Sequence, residues 1–244
     1  MTTREIITPN RGFRYLGDTE EEFKLAGQML EQQRRAGIKN KKTKTQNPDG
    51  NQGGQTPPVV QPTPKNISGF VYVPEIKLYV AKQRTHQDVD WNQTHEELAK
   101  ENSRMLTIPE FVKFVNYLRN GYSDRDEAEQ ILDDILTKRH PWRAEWLDAS
   151  FEITPQGNYI LTKNKTQRDR LETSLMQDCE ADIFGSANTQ GLPTKQGNEF
   201  NYWFPRNNSV ARFYAYSGWV LLGCTRYPDG GGSALGVRRA MTDA

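Results

Sequence analysis

The 244-residue chain contains two cysteines, Cys179 and Cys224, too few for a disulfide framework. Two buried thiols in a chain folded in a reducing compartment are the expectation. Its three histidines, His86, His95 and His140, have no metal-ligand spacing with either cysteine, so no metal site and no cofactor is expected. No apolar run approaches the roughly eighteen residues of a membrane span. The segment Met1 to Ile7 lacks the apolar stretch of a secretory signal. The expectation is therefore cytoplasmic synthesis without a membrane span, with display on a virion or cell surface left open. Surplus charge is also missing. Thirty-two Lys and Arg face thirty-one Asp and Glu, which excludes nucleic-acid binding driven by bulk cationic charge. No Walker, Rossmann or Gly-x-Ser-x-Gly motif occurs, so no enzymatic activity is expected.

Apolar residues make up only 35% of the chain, and one segment carries much of the deficit. Residues 40–67 are rich in Pro, Gly, Gln and Lys, with Val59, Val60 and Ile67 as their large apolar residues. Such a segment cannot offset its ordering entropy by burial, which predicts a disordered, flexible linker. Before it, residues 1–39 form a helical arm: Asp18 or Thr19 caps it, Phe23, Ala26, Met29 and Leu30 make its stripe, and Gly37 ends it. So short a stripe needs another surface, an anchoring partner or a sister chain in a homo-oligomer. The basic run from Arg34 to Lys44 reads as solvated charge.

After the linker the pattern sharpens. Phe70 to Val73 and Ile76 to Val80 flank Pro74-Glu75 and predict a hairpin or a bent strand. Thr107-Ile108-Pro109-Glu110 is a capping box that opens a helix with Ile108, Phe111, Val112, Val115 and Leu118 on one face. Ser123 caps a second helix with Ala128, Ile131, Leu132, Ile135 and Leu136 inward, and Asp133-Asp134 on its outer, solvated face. Residues 151–153 and 159–161 read as short strands. Thr166 to Gln177 reads as a third helix with Leu171, Leu175 and Met176 inward. Two early helices among short antiparallel strands make residues 68–244 an α+β domain.

In the C-terminal segment two sets of residues interleave. Val210, Phe213, Ala215, Val220, Leu222, Cys224 and Leu235 suit a core. Tyr214, Tyr216, Trp219, Leu221, Gly223, Thr225, Tyr227 and Asp229 mix chemistry freely. Period-two alternation sends one set inward and the other toward solvent or a ligand. The second set also has the composition of a paratope, with Tyr and Trp as anchors and small residues between them. Asn201, Tyr202, Phe204, Asn207 and Asn208 are candidates for the same face.

The pattern Val210-Ala211, Phe213, Ala215, Ser217-Gly218, then Cys224, Pro228 and Ser233-Ala234-Leu235-Gly236-Val237-Arg238, resembles the variable proteins of diversity-generating retroelements. These occur in phages, bacteria, archaea and archaeal viruses. The resemblance covers residues 198–240. It implies a C-type-lectin-like fold of the subtype shared with formylglycine-generating enzymes. It also implies a hypervariable C-terminal surface that binds a macromolecular ligand, a protein, with receptor or attachment function. In that family adenines of a template are mutated before the copy replaces the 3′ end of the gene. An AAC codon altered only at its adenines reaches Tyr, Leu, Gly, Thr and Asp, the residues at 214, 216, 221, 223, 225, 227 and 229, while Trp219 (TGG) is one adenine change from AGG. The calcium-binding loops of sugar-binding lectins are absent. The alternative from another class is a formylglycine-type oxidoreductase or a degenerate relative. That chemistry uses a cysteine pair in a cleft, and only Cys224 lies in this segment.

Overall fold

The computed structural model describes residues 66–242. The helical arm over residues 1–39, and the linker except for Asn66 and Ile67, lie outside the described residues.

The hairpin expected around Pro74 is present. Strands β1 (Phe70–Val73) and β2 (Leu78–Ala81) pair antiparallel, Phe70 opposite Ala81 and Val73 opposite Leu78. Helix α1 (Trp91–Lys100) follows. Asp90 caps it, its Oδ1 accepting from the Gln93 amide at 2.8 Å. Trp91, Thr94, His95 and Leu98 are buried on one side. Its stripe has only two large apolar residues, too little to reveal a helix by periodicity. Strand β3 (Arg104–Met105) leads into α2 (Ile108–Asn120). There the capping box forms as its spacing dictates, with Glu110 Oε2 accepting from the Thr107 amide at 2.9 Å. Helix α3 (Arg125–Leu136) is capped by Asp124, not Ser123, the Asp124 Oδ1 accepting from the Glu127 amide at 3.0 Å. Ala128, Ile131 and Ile135 face inward as expected.

The rest is strand and loop: β4 (Arg143–Ile153), β5 (Tyr159–Lys163), β6 (Gln167–Arg170), β7 (Cys179–Ala181), β8 (Phe200–Trp203), β9 (Ser209–Ala215), β10 (Val220–Arg226), β11 (Leu235–Val237) and β12 (Arg239–Thr242). The helix expected over residues 166–177 does not form. Its first residues make β6, which returns along β5 after a turn held by left-handed Asn164 and Lys165, with φ of 51° and 60°. Asparagine tolerates that conformation, and once it is adopted the chain is a hairpin. Leu171 and Leu175 still pack against the core, but Met176 is 60% exposed.

Two sheets result. One has the order β1-β2-β12-β3. The other runs β6-β5-β4-β9-β10-β8-β7, with β11 added beside β4. Pairing is antiparallel except between β8 and β10 and between β4 and β11. The fold class is α+β, as the sequence indicates. Its main core lies between α2, α3 and one face of the larger sheet. There Phe111 meets Phe213 at 4.9 Å between ring centroids, and Phe184 meets Phe213 at 5.8 Å. No helix among the described residues is long and apolar enough to cross a membrane.

Candidate functional site

Strand register sorts the C-terminal residues onto two faces. Reading across β8, β10, β9 and β4, Asn201, Leu221, Tyr214 and Ala144 stand in one row. Trp203, Gly223, Arg212 and Trp146 stand in the next. The residues between them, Tyr202, Leu222, Phe213 and Glu145, project to the opposite face. Directly paired residues share a side of the sheet, so these rows define a face turned away from the Phe213 core.

The interleaving read from the sequence therefore holds for Phe213 to Ala215 and the first half of β10, while Val210 and Leu235, expected with the core, are buried on the opposite side with Arg212 and Ala144. Phe213, Ala215, Val220, Leu222 and Cys224 are buried in the main core, and Tyr214, Leu221 and Gly223 lie on the other side. Two further corrections concern Tyr202 with Phe204, and Thr225. Tyr202 and Phe204, expected on the displayed face, are core residues, 0% and 3% exposed. The displayed parity on β8 is that of Asn201 and Trp203. Asn207 and Asn208 are exposed at the turn into β9, at the end of the sheet that also carries Tyr227, and Asn207 Oδ1 accepts from the Ile153 amide at 2.7 Å. Alternation also breaks in β10. A bulge between Gly223 and Arg226 places Arg226 opposite Val210, so Thr225 no longer continues the row.

The largest correction concerns exposure. Tyr214 and Leu221 are 0% exposed and Asn201 is 5% exposed, although all three lie on the expected face. This side of the sheet is a packed floor, and strand order gives a reason. β10 and β11 flank the β9-β4 pair, so the connection from Tyr227 to Ala234 must cross two strands. It crosses on the Arg212 side: Pro228 O accepts from the Trp91 amide at 2.9 Å, and Trp146 Nε1 donates to Val89 O at 3.0 Å. Two glycines in and just after the connection stand close to other groups, Gly230 to a flexible side chain and Gly236 to backbone. A Cβ on Gly230 would come within 2.6 Å of the Arg226 guanidinium, and one on Gly236 within 2.8 Å of Thr85 O.

What remains accessible lies at the two ends of the floor. At the β9–β10 hairpin Tyr216 and Trp219 are half-buried and meet edge to face at 5.6 Å. Burial pushes the Tyr216 hydroxyl up to about 12. At the other end Tyr227 is 45% exposed and Asp229 is exposed. Between them lies a cation that the sequence did not single out, set among rings of which Tyr214 alone was expected. The Arg212 guanidinium lies 4.4 Å from the Tyr214 ring and 5.9 Å from Trp142, and Trp203 packs edge to face on Tyr214 at 5.8 Å. The parity of Arg212 with Tyr214, and of Trp203 with Asn201, was the available signal.

Gly223 makes this arrangement possible. A Cβ there would stand 3.0 Å from Tyr214 Cε1 and 3.6 Å from Leu221 Cδ1. The Tyr214 ring thus leans over the bare glycine backbone. Gly223→Val is expected to push that ring off the sheet and to cost about 1–3 kcal/mol of stability by overpacking. A urea titration showing unchanged stability would contradict this packing.

Cys179 and Cys224 are both free and buried, and burial pushes Cys179 up to about 11 and Cys224 higher still. No group of three or more His, Cys, Asp or Glu among the described residues could hold a metal ion. No protein family, curated protein or solved structure compared with this chain matches it.

Proposed function

We propose that this chain is a binding protein of C-type-lectin-like fold. Its C-terminal surface is diversified by a retroelement and takes a macromolecular ligand, a protein, in a receptor or attachment role, without catalysis. The observation that supports this most is the division of labour along β9 and β10. Phe213, Ala215, Val220, Leu222 and Cys224 supply an apolar core, while the residues between them carry amide, guanidinium, phenol, indole, isobutyl and bare glycine on one face. A core built from one parity leaves the accessible residues beyond it, Tyr216, Trp219, Tyr227 and Asp229, free to change without unfolding the sheet. Ligand contact falls to Tyr216, Trp219, Thr225, Tyr227 and Asp229. Tyr214, Leu221, Gly223 and Asn201 form the floor beneath, and Arg212 and Trp203 join it.

The test is the DNA beside the gene. A near-copy of its 3′ end is expected there, carrying adenine-bearing codons at 214, 216, 219, 221, 223, 225, 227 and 229. The two copies should agree at Gly236 and Val237, where Gly236 has no room for a side chain. Differences spread evenly over all four bases would sink the diversification.

A further inference from the structure

On the core side of the larger sheet, at the start of β4, three inner arginines converge on two carboxylates. Asp134 on α3 has Arg143 and Arg238 at 3.1 Å each and Arg84 at 4.0 Å. Glu145, 0% exposed, takes Arg143 at 2.7 Å and Arg238 at 3.0 Å. Arg139 also reaches Asp134, at 3.6 Å, but it has a second acidic partner in exposed Asp133 at 3.8 Å. The inner group therefore holds one more positive charge than negative.

The excess has a location. Arg238 spends its nitrogens on Glu145, Asp134 and the carbonyls of Ala81 and Lys82. Arg84 gives its Nη1 to the carbonyls of Ala144 and Ala234 at 2.9 and 2.8 Å. Arg143 commits only Nη2, to Asp134 and Glu145. Its Nε and Nη1 are buried and have no hydrogen-bond partner, on a side chain only 2% exposed. A buried cationic donor left unmade is costly, and native interiors supply it with a partner. Burial, and after it the Arg143 cation, push Arg84 below its ordinary value, in keeping with a local excess of positive charge.

We propose that Arg143 holds a small monovalent inorganic anion of the halide class at one of its two open donors, Nε or Nη1, and that this anion neutralises the Arg84, Arg143 and Arg238 group. One negative charge matches the excess of one. A small sphere without bonding directionality suits a single buried cationic donor. The site is separate from the proposed ligand face, since Arg143 pairs with Ala215 on the core side.

Two measurements on the full chain test this. Replacing gluconate by chloride at constant ionic strength is expected to raise the melting temperature saturably, by about 2–4 °C. Crystals soaked in bromide should show an anomalous peak within hydrogen-bonding reach of Arg143 Nε or Nη1. Arg143→Met should lose both responses, and if that variant does not fold, the bromide position in the wild type decides alone. Bromide found only at exposed lysines and arginines, or an equal melt in both salts, would overturn the proposal and leave water as the partner of Arg143.

Discussion

Glu145→Gln is expected to destabilise the domain by about 3–5 kcal/mol, the usual cost of breaking a buried ion pair by removing one partner. Glu145 lies on the core face of β4 opposite Phe213, with no exposure, and is wholly enclosed with Arg143 and Arg238. Glutamine keeps the shape and one acceptor but leaves two guanidiniums facing the half-buried Asp134 alone. The pH dependence follows from the same contacts. Burial by itself would raise the carboxyls of Glu145 and Asp134, but the arginines outweigh it and hold both below the usual carboxylate range. A folded value below the unfolded one means stability that is present above the unfolded pKa, near 4, and is lost as pH falls through the folded value. Urea titrations at neutral pH and on the acid side should show wild type losing stability in that acid window and Glu145→Gln losing less of it. Equal acid sensitivity in the two proteins would mean that Glu145 is not held as described.

Changing Tyr216, Trp219 and Tyr227 together to alanine is expected to abolish ligand binding while leaving the fold intact. These side chains are exposed or half-buried, and such substitutions shift stability by only about 0.5 kcal/mol each. Aromatic anchors inside an interface commonly cost about 2 kcal/mol or more apiece when truncated, so three of them account for a large part of any ordinary affinity. Tyr214→Ala should behave in the opposite way. Its ring is fully buried over Gly223 and beside Trp203, and truncation should cost about 3–5 kcal/mol by cavity formation. A thermal melt and a binding titration against a partner recovered by pull-down separate the two variants. A triple variant that fails to fold would make these residues core; one that binds unchanged would remove the proposed face.

Much of the fold was legible because local rules sufficed. Thr107 and Glu110 define a helix start by their spacing alone, and the hairpin around Pro74 and the core parity of Phe213, Leu222 and Cys224 follow from strong patterns. Where patterns were thin the reading failed. Residues 166–177 offered a partial helical stripe, and the decision fell to a left-handed turn at Asn164 and Lys165, which spacing does not report. Asp134 resembled any solvated acid on an outer helix face. Arg84 and Arg238 reach it from distant stretches of chain, and Arg143 from the start of the strand that follows its helix.

The sequence by itself determined the α+β class, the two strongly patterned helices, and which parity of β9 faces the core, because each depends on residues a few positions apart. Only the tertiary structure decided how much of the opposite face meets solvent. The order β10-β9-β4-β11 forces Tyr227 to Ala234 across the sheet, and Gly223 lets the Tyr214 ring lie flat. Both turn expected anchors into floor. Alternation fixes the side on which a residue stands; what covers that side depends on strand order, which no local pattern encodes.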